Sequence, residues 1–118
     1  MIAIFHVIKH QKLEIGAIDR VVNIIRSEAD PDRIIMFGSR VREDVNDNSD
    51  YDFLILKKGL KDERRLTSSL YKAFFFNKIG IPIDLLALDT EKYNQLKETV
   101  GYIYKTINEE GKVIYERT

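Results

Sequence analysis

The sequence predicts a layered α/β or α+β domain, and two observations carry that prediction. Short apolar runs bounded by Gly, Pro or Asp alternate with segments of helical periodicity. The chain of 118 residues, 44% hydrophobic and 32% charged, is long enough for one core and too short for separate catalytic and substrate domains. The expected organisation is therefore one domain over residues 1–118, with 1–14 as an N-terminal extension.

Taken in order, "IGAIDRVVNIIRSE" (residues 15–28) sets Ile15, Ile18, Val22 and Ile25 at helical spacing. That helix should stop before "ADPD", because Pro31 disfavours helical geometry at Asp30. "RIIMF", ended by Gly38, reads as a buried strand, and "YDFLILK" as a second strand after a long polar loop. "KDERRLTSSLYKAFFFNKIG" puts Leu66, Leu70, Ala73, Phe74 and Asn77 along one helical face, with Gly80 as the expected C-terminal cap. "IPIDLLALD" is a third strand. Asp89 or Thr90 caps a helix whose inner face would be Tyr93, Leu96, Val100, Ile103 and Ile107. Gly111 stops that helix, and "KVIYER" closes the domain as a strand.

Lysine plus arginine and aspartate plus glutamate each number 19, so the formal charge is zero. A generic nucleic-acid binder usually carries a basic excess, so no direct nucleic-acid contact is expected. Absence of cysteine excludes disulfides, zinc–thiolate sites and cysteine nucleophiles. The opening "MIAIFHVIKHQK" has neither a basic region before its apolar run nor a small-residue cleavage site after it. No stretch reaches the length of a membrane span, so a cytoplasmic protein without membrane contact is expected.

The polar interest lies in "FGSRVREDVNDNSDYDFLIL", residues 37–56. Side chains two apart on a strand share a face, so Asp50 and Asp52 should project together. Asp84 interrupts the otherwise apolar "IPIDLLAL". Like charges brought together cost free energy unless a cation or a proton neutralises them. Three carboxylates with no His or Cys nearby in sequence suit magnesium, or manganese, rather than zinc. Across the loop, Gly38 lets a backbone amide approach a phosphate, and Ser39 can donate to its oxygens. Arg40 and Arg42 offer guanidinium forks for phosphate charge. Together these residues describe a site for a polyphosphate and a divalent metal, suited to in-line displacement at phosphorus.

Gly38-Ser39, ten intervening residues and then Asp50-Tyr51-Asp52 resemble the Gly-Ser…Asp-x-Asp signature of the DNA polymerase β-like nucleotidyltransferase superfamily. The stretch is especially similar to the minimal nucleotidyltransferase antitoxins, and "INEEGKVIYER" resembles that family's C-terminus. The likeness runs from about residue 15 to the end. It implies the nucleotidyltransferase fold, a small mixed β-sheet flanked by helices. It further implies nucleotide binding at Gly38 and Ser39, metal binding at Asp50 and Asp52, and Asp84 as the third carboxylate. The family often has alanine and glycine where Val41 and Glu43 stand, and the added charge of Glu43 near the phosphates would weaken turnover.

The expected function is then magnesium-dependent transfer of AMP from ATP to a tyrosine hydroxyl of a cognate HEPN-domain toxin, which silences the toxin. Asp84 would help bring the acceptor to the metal and act as its base. A homo-oligomer and a hetero-oligomer with the toxin are both compatible with the sequence. Two alternatives compete. The protein could neutralise the toxin by binding alone, or it could be a stand-alone enzyme modifying a small molecule, although nothing in the chain remains to hold such an acceptor.

Each feature also has a plainer reading. "DVNDNSDYD" would place Asp44, Asn46, Asn48 and Asp50 at calcium-loop positions, but Ser49 and Ile55 fail the two diagnostic places of an EF-hand. A solvated acidic loop accounts for Asp44, Asn46, Asp47 and Asn48. Arg40 and Arg42 could simply balance that loop. "AFFF" reads as core plus one partly exposed ring, and Tyr102 and Tyr104 as helix-surface residues or contacts. Asp89 is a cap rather than a ligand, and His6 and His10 receive no role.

Overall fold

The computed structural model describes residues 2–42 and 49–118, with side chains from Gly16 onward. Helix α1 (Ile2–Ala29) is longer than the periodicity over 15–28 predicts, because the expected N-terminal extension continues it backwards. Its C-terminal half buries Val21, Ile25 and Ala29 completely or nearly so, and burial of each larger aliphatic contributes roughly 1.5–3 kcal/mol. The helix ends at Ala29, one residue later than expected, and Asp30 leaves helical space with a φ of +47° just before the buried Pro31.

Four strands follow from the apolar runs: β1 (Arg33–Phe37), β2 (Tyr51–Leu56), β3 (Ile83–Leu88) and β4 (Lys112–Glu116). They form one mixed sheet in the order β3-β2-β1-β4. β1 runs antiparallel to both β2 and β4, whereas β2 and β3 are parallel. A parallel pair needs a crossover, which α3 (Glu63–Phe76) supplies. Asp62 caps its start by accepting from the Arg65 N–H at 3.0 Å. Its end differs from expectation. Asn77 rather than Gly80 is the C-cap, and Lys78 takes the left-handed conformation at φ +52°. The Lys78 and Ile79 amides then donate to Phe75 and Phe74 carbonyls, closing the helix end two residues before that glycine.

Both faces of the sheet are covered, and unequally. Against one face, α1 and α3 pack Val21, Ile25, Leu70 and Phe74 onto Ile34, Phe53, Ile55 and Leu85. The other face carries Ile35, Leu54, Leu56 and Leu88 under Tyr93 and Ile107. These last two come from α4 (Thr90–Leu96) and α5 (Ile103–Glu110), which replace the single helix predicted after β3. Asp89 caps α4 as expected, accepting from the Lys92 N–H at 3.1 Å. The predicted inner face fails at its middle. Val100 and Ile103 are 83% and 51% exposed, because the chain unwinds there and Tyr102 restarts it in an extended conformation. Tyr104 is half-buried and meets Tyr93 edge-to-face at 6.2 Å, so it belongs to this layer rather than the surface. Gly111 caps α5 where any Cβ would press on the Ile107 carbonyl and on Ile35.

A polar knot ties the elements at one end of the sheet. Asp32 accepts from the Lys58 N–H at 2.7 Å and from the Thr90 hydroxyl at 2.6 Å. The Arg117 amide donates to the Asp32 carbonyl, and its guanidinium pairs with Asp30 at 2.8 Å. The Thr90 hydrogen bond is the main cause holding the Asp32 carboxyl below its ordinary value, with Lys58 and Arg117 assisting against partial burial.

Candidate active site

The opposite end of the sheet holds the predicted carboxylates. β2 enters the sheet through the Tyr51 N–H, which donates to the Pro82 carbonyl at 2.9 Å and sets the parallel register with β3. That register pairs Asp52 directly with Asp84. Paired residues of neighbouring strands project to the same face, here the one bearing Leu54, Leu56, Leu86 and Leu88. Helices α4 and α5 cover the far half of this face, so Asp52 and Asp84 lie on the half they leave uncovered. Asp50 immediately precedes the strand and is exposed.

Asp52 feels the other two carboxylates. Burial, then the charges of Asp84 and Asp50, push the Asp52 carboxyl above its ordinary value, and Arg42 opposes them. Among the described residues no three carboxylate, histidine or cysteine side chains close into a metal cage by themselves. A hard cation takes as few as one or two protein carboxylates and completes its shell with other oxygen donors, and Asp52 and Asp84 are the paired carboxylates that could hold one here.

Gly38 follows β1 and faces Asp52, since Phe37 pairs with Asp52 across β1–β2. Its φ of +81° favours glycine, and a Cβ there would overlap the Asp52 carboxylate. The turn therefore lies against the carboxylate with nothing between them. Ser39 opens the one-turn helix α2 (Ser39–Arg42), whose Val41 and Arg42 amides donate back to the Gly38 carbonyl.

The two arginines separate. Arg40 donates to the Ser49 carbonyl from Nε at 3.2 Å and from Nη2 at 2.9 Å, and lies 4.2 Å over the Tyr51 ring. It fixes the entry to β2. Arg42 lies within reach of Asp52's field and pairs with Glu110 at 3.8 Å, linking α2 to the end of α5. Glu43 and the acidic stretch Asp44, Asn46, Asp47 and Asn48 lie outside the described residues, as do the side chains of His6, His10 and Ile15.

Two features near the site were not legible in the sequence. Tyr71 on α3 reaches round the open edge of the sheet: its hydroxyl accepts from the Leu85 N–H at 2.8 Å and lies 3.4 Å from Asp84 Oδ1. One turn further on, Phe75 and Phe76 are 80% and 77% exposed and meet edge-to-face at 5.8 Å. "AFFF" thus buries only Phe74 and exposes two rings where one was expected. A separate shallow cavity of about 450 Å³, lined by Lys58, Lys61, Glu63, Asp89 and Lys92 among others, sits at the far end of β2 and β3, away from the carboxylates.

The chain belongs to the polymerase beta nucleotidyltransferase family, whose model matches residues 19–118. Solved structures with the same fold include a candidate nucleotidyltransferase from Sulfolobus solfataricus, 23% identical over 93% of this chain and 83% of that one, with a TM-score of 0.55. A toxin–antitoxin complex with AMP-PNP is 16% identical over 85% of this chain and 73% of its own, with a TM-score of 0.58. A double-mutant form of the toxin–antitoxin MntA-HpeT is 14% identical, with the same coverage and a TM-score of 0.55. No curated protein matches this sequence closely enough to count as a relative. Among the described residues, no helix is long and apolar enough to cross a membrane.

Proposed function

We propose that this nucleotidyltransferase moves AMP from ATP to a tyrosine hydroxyl of a HEPN-domain toxin and so acts as its antitoxin. The observation that carries the reading is the Asp52–Asp84 pair set side by side by the β2–β3 register, with the Gly38 turn against it. In the transfer, the acceptor hydroxyl oxygen bonds to the α-phosphorus, the bond to the β-phosphate oxygen breaks, and diphosphate leaves. Asp84, exposed at the edge strand, takes the acceptor's proton. Asp50, Asp52 and Asp84 are the hard oxygen donors from which magnesium would draw its protein ligands, and the bound ion would offset the negative charge around Asp52 and that of the leaving diphosphate. Gly38 and Ser39 would receive the phosphates, with Arg42 supplying positive charge beside them; Arg40 contributes by holding the start of β2 in place.

A protein acceptor is supported by the exposed Phe75–Phe76 pair, since adjacent aromatic rings open to water are characteristic of surfaces that meet a partner. Residues 64–83 around them contain Arg64, Arg65, Lys72 and Lys78 and no acidic residue, which favours a partner with an acidic rim. The resemblance to toxin–antitoxin structures agrees with this. The same rings support the second reading, neutralisation by binding without transfer.

The test is to incubate the protein with magnesium, ATP labelled at the α-phosphate and the product of the adjacent gene. Label on that product, lost with Asp50→Asn and Asp52→Asn, is the expected result. Neutralisation of the toxin that needs no label and survives both substitutions would overturn catalysis in favour of binding alone.

A further inference from the structure

The geometry points to Tyr71 as a positioning residue that holds the Asp84 carboxylate for the reaction, an inference that rests on the nucleotidyltransferase reading above. β3 is the edge strand of the sheet, so among the described residues its outward row of backbone groups has no further strand to pair with. Tyr71, arriving from α3, meets one of them: its hydroxyl oxygen accepts from the Leu85 N–H at 2.8 Å. That contact fixes where the phenol sits and leaves its own proton to be donated elsewhere. Asp84 Oδ1 stands 3.4 Å away, a long approach of the kind that tightens when substrate arrives. The residue is thus held from two sides, by the packing of α3 and by the backbone of the residue next to Asp84.

Consequences follow for a carboxylate on an edge. Asp84 is exposed, and among the described residues no further strand pairs with β3 on its outer side. Without Tyr71 it would sample several rotamers, and only some would face Asp52. A hydroxyl anchored on the Leu85 amide selects among them. Outer partners of this kind typically change metal affinity or turnover by about 10–100-fold when removed. Tyr71 touches neither the phosphates nor the reacting oxygen on this view, so its loss should lower kcat and leave the KM for ATP nearly unchanged.

The experiment compares the full chain with Tyr71→Phe, Asp84→Asn and the double variant, reading Mn²⁺ affinity from the free-ion electron paramagnetic resonance signal and transfer from steady-state kinetics. Expected for Tyr71→Phe are Mn²⁺ binding weaker by about tenfold and a kcat lower by about 10–100-fold. The double variant should be no worse than Asp84→Asn alone, since the hydroxyl acts only through that carboxylate. Independent effects that multiply in the double variant would overturn the proposal, as would a Tyr71→Phe chain that binds Mn²⁺ and turns over like its parent. One measurement requires no variant: the Leu85 amide should be protected from hydrogen exchange in the unsubstituted protein, and an unprotected amide rejects the anchor. A parent chain that transfers nothing to its acceptor sinks the nucleotidyltransferase reading, while the Mn²⁺ cycle still reports whether Tyr71 acts through Asp84.

Discussion

Asp32 and Asp52 stand at opposite ends of β2, in surroundings that differ in almost every respect. Asp32 has a hydroxyl and an amide donating to one oxygen and a guanidinium beside the other, and its carboxyl is held below its ordinary value. Asp52 is partly buried between two like charges, and its carboxyl is pushed up. The first carboxylate helps hold the fold together; the second opposes it until something positive arrives. Side chains kept where they destabilise the protein alone are where function is expected.

The signs differ accordingly. Asp32's depressed value means a stabilising contribution present above about pH 4 and lost as pH falls through its folded value. Asp52's raised value means the reverse: its stability is greatest while protonated, and is lost as pH rises from about 4 through the folded value. The largest expected effect that probes this contrast is from Asp52→Asn. Transfer should fall by more than the roughly 100-fold upper range of outer-shell losses, while the metal-free melting temperature at pH 7 rises. A calorimetric scan at pH 7 and at pH 4 should show that gain shrinking in acid, and an unchanged or lower melting temperature at pH 7 would break the contrast.

Gly38→Ala should come next. The new methyl overlaps the Asp52 carboxylate and sits on a left-handed backbone. Transfer should drop by about 10–100-fold from the displaced carboxylate, with a backbone cost of about 1–2 kcal/mol seen in urea unfolding. Asp32→Ala is expected to do the opposite kind of damage. Loss of its hydrogen bonds at a partly solvated site should cost about 1–2 kcal/mol at pH 7, shrinking as the pH falls below about 4, with kcat of the folded enzyme unchanged. The smallest effect is expected from Val100→Ser, under about 0.5 kcal/mol, because the side chain that sequence periodicity puts inside is exposed. A larger loss in urea unfolding would restore a continuous helix between α4 and α5.

Most of the fold was written in local pattern. "RIIMF", "YDFLIL" and "IDLLAL" are strands because β-branched and leucine runs of that length, ended by Gly or Asp, bury on both faces of a central sheet. Asp84 stood out for the same reason, as a charge that such a run does not need. What stayed hidden depends on contacts distant in sequence. Val100 and Ile103 fit helical spacing as well as Tyr93 and Ile107 do, and only the break between α4 and α5 decides which find cover. Helical spacing already sets Phe74 on the inner face of α3, and what it left open is that both Phe75 and Phe76 stay exposed. Arg40 and Arg42 look alike in the sequence, and only the fold sets Arg40 on the Ser49 carbonyl and over the Tyr51 ring. Tyr71 carried no signal at all, because its partners arrive with a strand seven positions after the end of its own helix.

β4 pairs with β1 and covers its second edge. Arg33 and Glu116, which pair across these strands, are 83 residues apart. The interior strand β1 therefore keeps one raw edge until residues 112–116 have been made, and the sheet cannot complete before they clear the ribosome. Closure of so long a loop is slow and comes late. Deleting β4 should thus leave a sticky intermediate for chaperones, with β1 open along one edge, rather than a smaller working enzyme.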